Sequence, residues 1–243
     1  MAVKIYMTNC KGGVGVTSCC VGLGIALAKL GERTLVLDGD RLCASALYTG
    51  GLANMQVYTL ADFEKGACRA KQTLVSHPKI SNLSFSASTG VKDARCAEKA
   101  IGELDGLFDY ILCDKTGAGK CDRAIIVTEP FAPSVKGADV SKAMLNDGGI
   151  KDVGLIVNRL NGGLILDGEV MTAQEISALL RTPLKGVIPE DLSIPLGRWR
   201  KSTQKAFDLT ACTVTGRRES VCNVIKGYAG LGGYIKRRVR EKI

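Results

Sequence analysis

The segment Cys10-Lys11-Gly12-Gly13-Val14-Gly15-Val16-Thr17-Ser18 sets glycines, a lysine and two hydroxyl residues side by side, ahead of an apolar run. Glycines in such a turn let successive backbone N–H groups curl around phosphate oxygens. A following helix adds the positive end of its dipole, and a hydroxyl such as that of Thr17 is suited to Mg²⁺. A standard P-loop carries lysine where Val16 stands; the cation here is Lys11, at the head of the loop. Acidic residues close two apolar runs further on, in Asp38-Gly39-Asp40 and in Tyr110-Ile111-Leu112-Cys113-Asp114. Carboxylates at the C-terminal ends of parallel strands face the ligand crevice of an open α/β sheet, where they hold metal-bound water or orient a nucleophile. A glycine-rich turn also serves structural ends, and a strand-terminal Asp also starts turns or caps helices. Three carboxylates in one such framework favour chemistry.

The scaffold that must position these residues is legible as short β-branched runs alternating with helical patterns, the signature of βαβ units around a parallel sheet buried on both faces. Strands are expected over 3–8, 34–38, 83–86, 110–114, 124–128, 153–158 and 183–188, and helices near 17–30, 93–104, 136–146, 172–181 and 219–229. No Pro/Gly/Ser linker divides the chain, so we read one domain over 1–230 and a tail over 231–243. With 243 residues, 46% hydrophobic and 23% charged, the composition excludes disorder and fibrous repeats, and the length allows a large core without staples. No apolar run reaches the roughly 18 residues of a membrane span, and no signal-type stretch opens the chain, so a cytosolic setting is expected. Ten cysteines without a C-x-x-C, beside the single His77, argue against a Cys/His zinc site and for reduced thiols serving mostly as small core residues. His77 precedes Pro78 in a polar stretch, which reads as an exposed turn rather than a Ser-His or Cys-His centre.

Taken together, Lys11-Gly12-Gly13-Val14-Gly15 with Thr17, Leu37-Asp38-Gly39-Asp40, Asp114, Thr128-Glu129-Pro130 with Ser134-Val135, Asn158-Arg159 and Gly186-Val187-Ile188-Pro189-Glu190-Asp191 resemble the MinD/ParA family of deviant Walker A ATPases, most closely its MinD members. The resemblance implies a doubly wound, mostly parallel α/β sheet of the SIMIBI-type P-loop NTPases, with ATP or ADP and Mg²⁺ as cofactors. It implies that Lys11 crosses a dimer interface to the partner's nucleotide and that Asp40 organises the attacking water, making these two the catalytic pair. It implies a nucleotide cradle of Gly12, Gly13, Val14, Gly15, Val16, Thr17 and Ser18, with Asn158, Arg159, Pro189 and Asp191 toward the adenine. Thr17, Asp38 and Asp114 are the implied Mg²⁺ residues. Two departures bear on activity. Val16 removes a charge-assisted phosphate contact of about 1.5–3 kcal/mol, roughly 10- to 150-fold in affinity. The segment from Asp114 to Thr128 is also shorter than in MinD proteins by roughly two helical turns. Both departures imply weak or absent hydrolysis.

In the tail, Leu231, Ile235, Val239 and Ile243 recur at fourth positions, with Tyr234 alongside and Lys236, Arg237, Arg238, Arg240 and Lys242 around them. Such a basic amphipathic helix suits the inner face of a cell membrane, with Tyr234, Ile235, Lys236, Arg237, Arg238, Val239, Arg240 and Ile243 as the membrane-contacting set. A solvated basic terminus is the plainer alternative. The net charge of +9, with Arg198, Arg200, Lys201, Lys205, Arg217 and Arg218 in the last third, also suits non-specific DNA. The expectation is therefore a MinD-like, ATP-binding spatial regulator of division-site placement, cytoplasmic and peripheral on the membrane. It would form a weak, nucleotide-favoured homodimer and engage a protein partner of the division or polar-placement machinery. The rivals are an active ATPase in which Lys11 compensates for Val16, and a nucleotide-independent localisation scaffold like the CpaE/TadZ-like pilus proteins.

Overall fold

Aliphatic and β-branched runs form β1 (Val3–Thr8), β2 (Thr34–Asp38), β4 (Leu83–Ala87), β5 (Tyr110–Asp114), β6 (Arg123–Thr128), β7 (Val153–Leu160) and β8 (Leu184–Pro189), with a two-residue edge strand β3 (Val75–Ser76) between β2 and β4 in the chain. The computed structural model describes residues 1–93, 95–116, 119, 121–194, 198–218 and 220–228. The sheet order is β3-β4-β2-β5-β1-β6-β7-β8. All neighbours run parallel except β3, which pairs antiparallel with β4. The helices are α1 (Val16–Lys29), α2 (Ser45–Thr49), α3 (Leu60–Glu64), α4 (Cys96–Leu104), α5 (Ala132–Asp147), α6 (Gly162–Leu166), α7 (Ala173–Leu180) and α8 (Lys201–Val214).

Parallel strands need helical crossovers, and these cover both faces of the sheet, so β2 and β5 are buried almost throughout. On one face α1, α2 and α8 enclose Ile5, Met7, Leu23, Leu27, Phe85 and Phe207. The opposite face is covered by α3 and α4 over the β2–β5 half, around Leu37, Leu104 and Ile111. Over the β6–β8 half it is covered by α5 and α7, around Ile126, Leu155 and Ile176. Central β1 is flanked by β5 and β6, with Met7 opposite Asp114, and Asp38 is opposite Asp114 in the β2–β5 register. The C-terminal ends of β1, β2 and β5 thus open on one crevice, which is where an open α/β sheet binds its ligand.

Three expectations need correction. The helix expected over 219–229 is absent: the described part of that stretch holds only the single turn Ile225–Gly227. The helix that packs on α1 is α8, which begins at Lys201. Its buried stripe is built partly of Thr203, Thr210 and Thr213, so the segment looks polar in sequence. Thr210 Oγ1 donates to the Ala206 carbonyl (2.8 Å) and Thr213 Oγ1 to that of Leu209 (3.1 Å), which satisfies these hydroxyls inside the fold. Helix α5 begins at Ala132, ahead of the expected 136, because Pro133 is accommodated in the first turn where no N–H partner is needed. Of the ten thiols, all free, Cys19, Cys20, Cys96 and Cys113 are buried while the others are partly or fully exposed, so fewer than half are core residues. Cys121 is hydrogen-bonded to Cys113, and that bond together with burial raises its thiol. Among the described residues no helix is long and apolar enough to cross a membrane. Tyr234, Ile235, Lys236, Arg237, Arg238, Val239, Arg240 and Ile243 lie outside the described residues.

Candidate nucleotide site

Strand β1 ends at Thr8, and the loop from Asn9 to Gly15 turns the chain into α1. Gly13 (φ 84°) and Gly15 (φ 88°) take the left-handed conformation that the turn requires, and Gly15 is the helix N-cap. The loop is pinned from outside. Asn9 Nδ2 donates to the Val127 carbonyl (2.7 Å), and the Cys10 N–H donates to Ser141 Oγ (2.7 Å). Buried Asn158 donates to the Val14 carbonyl (2.8 Å). Arg159, itself left-handed at φ 53°, donates to the Gly13 carbonyl (3.0 Å) and to Glu129 (2.6 Å). Carbonyls are thereby engaged by β7 side chains.

The loop lines a pocket of about 300 Å³ shared by Lys11, Gly12, Gly13, Val16, Thr17 and Lys115. Gly15 and Ser18 belong to the same wall, whereas Val14 is fully buried beneath it. Val16 lines the pocket and also packs against the core, leaving no cation at that position. Lys11 is exposed, its ammonium reaching, among the described residues, the Gly12 carbonyl (3.2 Å).

Opposite the loop stand the carboxylates. Thr17 Oγ1 donates to Asp114 Oδ2 at 2.6 Å, so the helix-opening hydroxyl and the β5-terminal carboxylate meet. Asp114 Oδ1 is buried without a hydrogen-bond partner among the described residues. Burial pushes the Asp114 carboxyl up to about 6; the Thr17 bond pulls the other way and nearby Asp38 adds to the rise. Asp38 is also buried, and burial raises it, although it accepts from the backbone N–H groups of Ala46 (2.7 Å) and Asp40 (2.9 Å). Both Asp38 oxygens thus shape the turn into α2. Asp40 accepts from the Leu42 N–H (3.0 Å), which with the Lys115 ammonium (3.0 Å) holds it below the usual carboxylate range. At Lys115 burial opposes the charged form, but Asp40 and the other carboxylates outweigh it and raise the ammonium. The two segments touch through Gly39, whose N–H donates to the Asp114 carbonyl (2.6 Å). A Cβ on Gly39 would lie 2.5 Å from Thr116 N and 2.6 Å from the Lys115 carbonyl carbon.

The structure therefore brings together Lys11 to Ser18, Asp38, Asp40 and Asp114, with Asn158 and Arg159 behind the loop. Asp191 stands apart: its carboxylate accepts from the Arg200 N–H (3.1 Å), Thr203 Oγ1 (2.7 Å) and the Ser193 N–H (3.0 Å) and hydroxyl. Burial works against its charge, yet these donors hold it down to about 2, and they make it the organiser of the entry to α8. Pro189 closes β8 against Leu160. Sequence reasoning gave no role to Lys115 or Glu129. Their signals are positional, since each directly follows the last residue of a strand that ends at the crevice.

A glycine loop leading into a helix, facing strand-terminal carboxylates on a mostly parallel sheet, defines an α/β protein of the P-loop NTPase class. The chain belongs to the CobQ/CobB/MinD/ParA nucleotide-binding family, whose domain matches residues 5–197. It is 33% identical over 241 residues to a MinD-type septum site-determining protein of Guillardia theta, covering 89% of this chain and 90% of that one. The MinD cell division protein of Aquifex aeolicus superposes with a TM-score of 0.81 at 26% identity, over 91% of this chain and 100% of that one. The same Aquifex protein in a MinC:MinD complex gives 0.81 at 27% identity, over 88% of this chain and 96% of that one. A Pyrococcus horikoshii MinD complexed with Mg-ADP shares the fold, with a TM-score of 0.77 at 22% identity over 88% of this chain and 96% of that one.

Proposed function

We propose that this chain is a MinD-like regulator of division-site placement that binds Mg-nucleotide at the glycine loop and turns it over slowly. The observation that carries the nucleotide reading is the Thr17–Asp114 contact with the orphaned Asp114 Oδ1 beside it. Cation-bound water would satisfy that buried oxygen, and the hydroxyl–carboxylate donor set suits Mg²⁺. Bound Mg²⁺ supplies charge neutralisation on the β- and γ-phosphates. The loop N–H groups and the α1 N-terminus would hold the phosphates, Thr17 and Asp114 would hold the metal shell, and Asp38, which shapes the turn into α2, would position Asp40 to organise the attacking water. Lys11, exposed and lining the pocket, would reach the nucleotide of a second subunit. The division role rests on the similarity to MinD proteins, one of them assembled with MinC. In this reading residues 1–230 form the nucleotide domain of a weak homodimer bridged by Lys11, and the similarity to a MinD assembled with MinC supports a MinC-like protein partner. Residues 231–243 form a peripheral anchor on anionic membrane at the cytoplasmic face.

Titration with ADP and a non-hydrolysable ATP analogue, with and without Mg²⁺, followed by a turnover assay, tests this reading. The expected result is Mg²⁺-dependent binding with little phosphate release. Rapid hydrolysis abolished by Lys11→Ala would instead make the chain an active ATPase, and absence of binding would leave a scaffold. Sedimentation velocity should show monomer shifting toward dimer with the analogue; a constant monomer despite binding removes the switch. Sedimentation with anionic liposomes should be lost on deleting 234–243 and weakened by salt. Equal sedimentation without the tail would make it a solvated terminus.

A further inference from the structure

The loop wall lacks a lysine at position 16, yet a lysine stands across the same pocket. We propose that Lys115 supplies the phosphate-facing cation that Val16 does not, exchanging its Asp40 partner for the nucleotide's phosphate when the site fills. This inference rests on the Mg-nucleotide reading above. Lys115 and the glycine loop line one pocket of about 300 Å³. The Lys115 side chain is 49% exposed and makes its ion pair with Asp40 at 3.0 Å, so its ammonium is held at the pocket wall without being locked in the core. A pair of that kind, open to water, is weak, and exchange for a multiply charged phosphate is favourable.

The backbone reinforces the placement. Lys115 adopts φ 55°, a left-handed conformation uncommon for a side chain of this kind. Gly39 lies against this turn: its N–H donates to the neighbouring Asp114 carbonyl, and a Cβ there would collide with the Lys115–Thr116 backbone. The same turn gathers Asp40 and the buried Asp38 and Asp114 behind the wall that Lys115 lines, a carboxylate cluster whose field by itself repels a polyphosphate. The ammonium of Lys115 lies within the field of all three. A long, flexible lysine reaches as a point charge, so its stem can start from the opposite wall and still place the ammonium on a phosphate oxygen. Exchange also releases Asp40 from its tie, coupling an occupied pocket to the turn between β2 and α2.

The test is a double-mutant cycle on Val16→Lys and Lys115→Gln, read as affinity for ADP, a non-hydrolysable ATP analogue and AMP, all with Mg²⁺. Lys115→Gln should weaken ADP and the analogue roughly 10- to 150-fold while leaving AMP unchanged, and Lys115→Arg should retain most of the affinity. Val16→Lys should gain far more in the Lys115→Gln background than in the unaltered one, because each lysine then serves the same phosphates. ADP binding unaffected by Lys115→Gln, or an equal gain from Val16→Lys in both backgrounds, overturns the proposal and leaves the Mg-nucleotide reading intact. Absence of nucleotide binding by the unaltered protein overturns both. Should Lys115→Gln fail to fold, Lys115→Met, which keeps the apolar stem and removes the charge, is read in the same cycle: ADP binding weakened with AMP unchanged supports the proposal, and unaffected ADP binding overturns it.

Discussion

The two walls of the crevice are built on opposite principles. Beyond Lys11 at its head, the glycine loop is a neutral surface of backbone, held in shape from behind by side chains that donate to its carbonyls at Gly13 and Val14. The facing side carries charge beneath its surface: Asp38 and Asp114 are buried, Asp40 is paired among the described residues with Lys115, which lines the pocket, and backbone contact at Gly39 holds the group together. The first wall offers fixed dipoles that need no rearrangement to receive an anion. The second wall stores unfavourable burial of charge that a cation relieves. A loop with valine at position 16 keeps its phosphate geometry, and in our proposal Lys115 restores the charge balance from the other side.

Substitutions sort the walls by how much each can yield. The largest effect is expected at Gly39, where a methyl group meets backbone of the neighbouring strand end. Gly39→Ala should destabilise the fold by about 3 kcal/mol or more in chemical denaturation. Gly15→Ala should cost less, about 1–3 kcal/mol, because its left-handed strain is joined by a clash with the end of the Asn158 side chain rather than with backbone. Equal costs at the two glycines would mean that both walls are equally rigid.

Next in size is the buried charge at Asp114. Its folded-state carboxyl titrates at about 6, above the usual value, so the native state holds a proton that the unfolded chain has lost between pH 4 and 6. Stability contributed by this group is therefore present at low pH and declines as pH rises through that window. Asp114→Asn should raise stability above pH 6 by on the order of 3 kcal/mol and leave it nearly unchanged below pH 4. In the unaltered protein the Mg²⁺-dependent part of nucleotide affinity should fall as pH drops below about 6, where the carboxyl takes up its proton. Thermal melts of both proteins from pH 4 to 8 check the first statement; a pH-independent difference would show that Asp114 is not the charge being stored.

The smallest effect belongs to the loop's outer brace. Arg159 is half-exposed, with Glu129 as its ionic partner and Ser134 as a second donor to that carboxylate (3.2 Å). Arg159→Ala should cost about 1 kcal/mol of stability and weaken nucleotide binding only modestly. A loss as large as that at Gly39 would mean that the loop owes its shape to this one side chain.

The strands were legible because a parallel sheet buried on both faces demands uninterrupted β-branched and aliphatic runs, as in Thr34-Leu35-Val36-Leu37-Asp38 and Tyr110-Ile111-Leu112-Cys113-Asp114. The phosphate loop was legible for a similar reason, since left-handed turns at Gly13 and Gly15 restrict residue choice locally. Helix α8 was not legible, because its buried stripe contains threonines, of which Thr210 and Thr213 satisfy their hydroxyls on the helix's own carbonyls, and because its burial depends on α1 lying beside it. Nor was the place of Asp191, whose carboxylate is consumed by residues up to twelve positions away that converge only at the start of α8. By itself the sequence determined the sheet, the loop and the acidic strand ends, all dictated by local sterics and burial. Only the tertiary structure decided which charges meet: Asp40 and Lys115 are 75 residues apart and form a pair because β2 and β5 are neighbours in register, a consequence of strand order that no local pattern encodes.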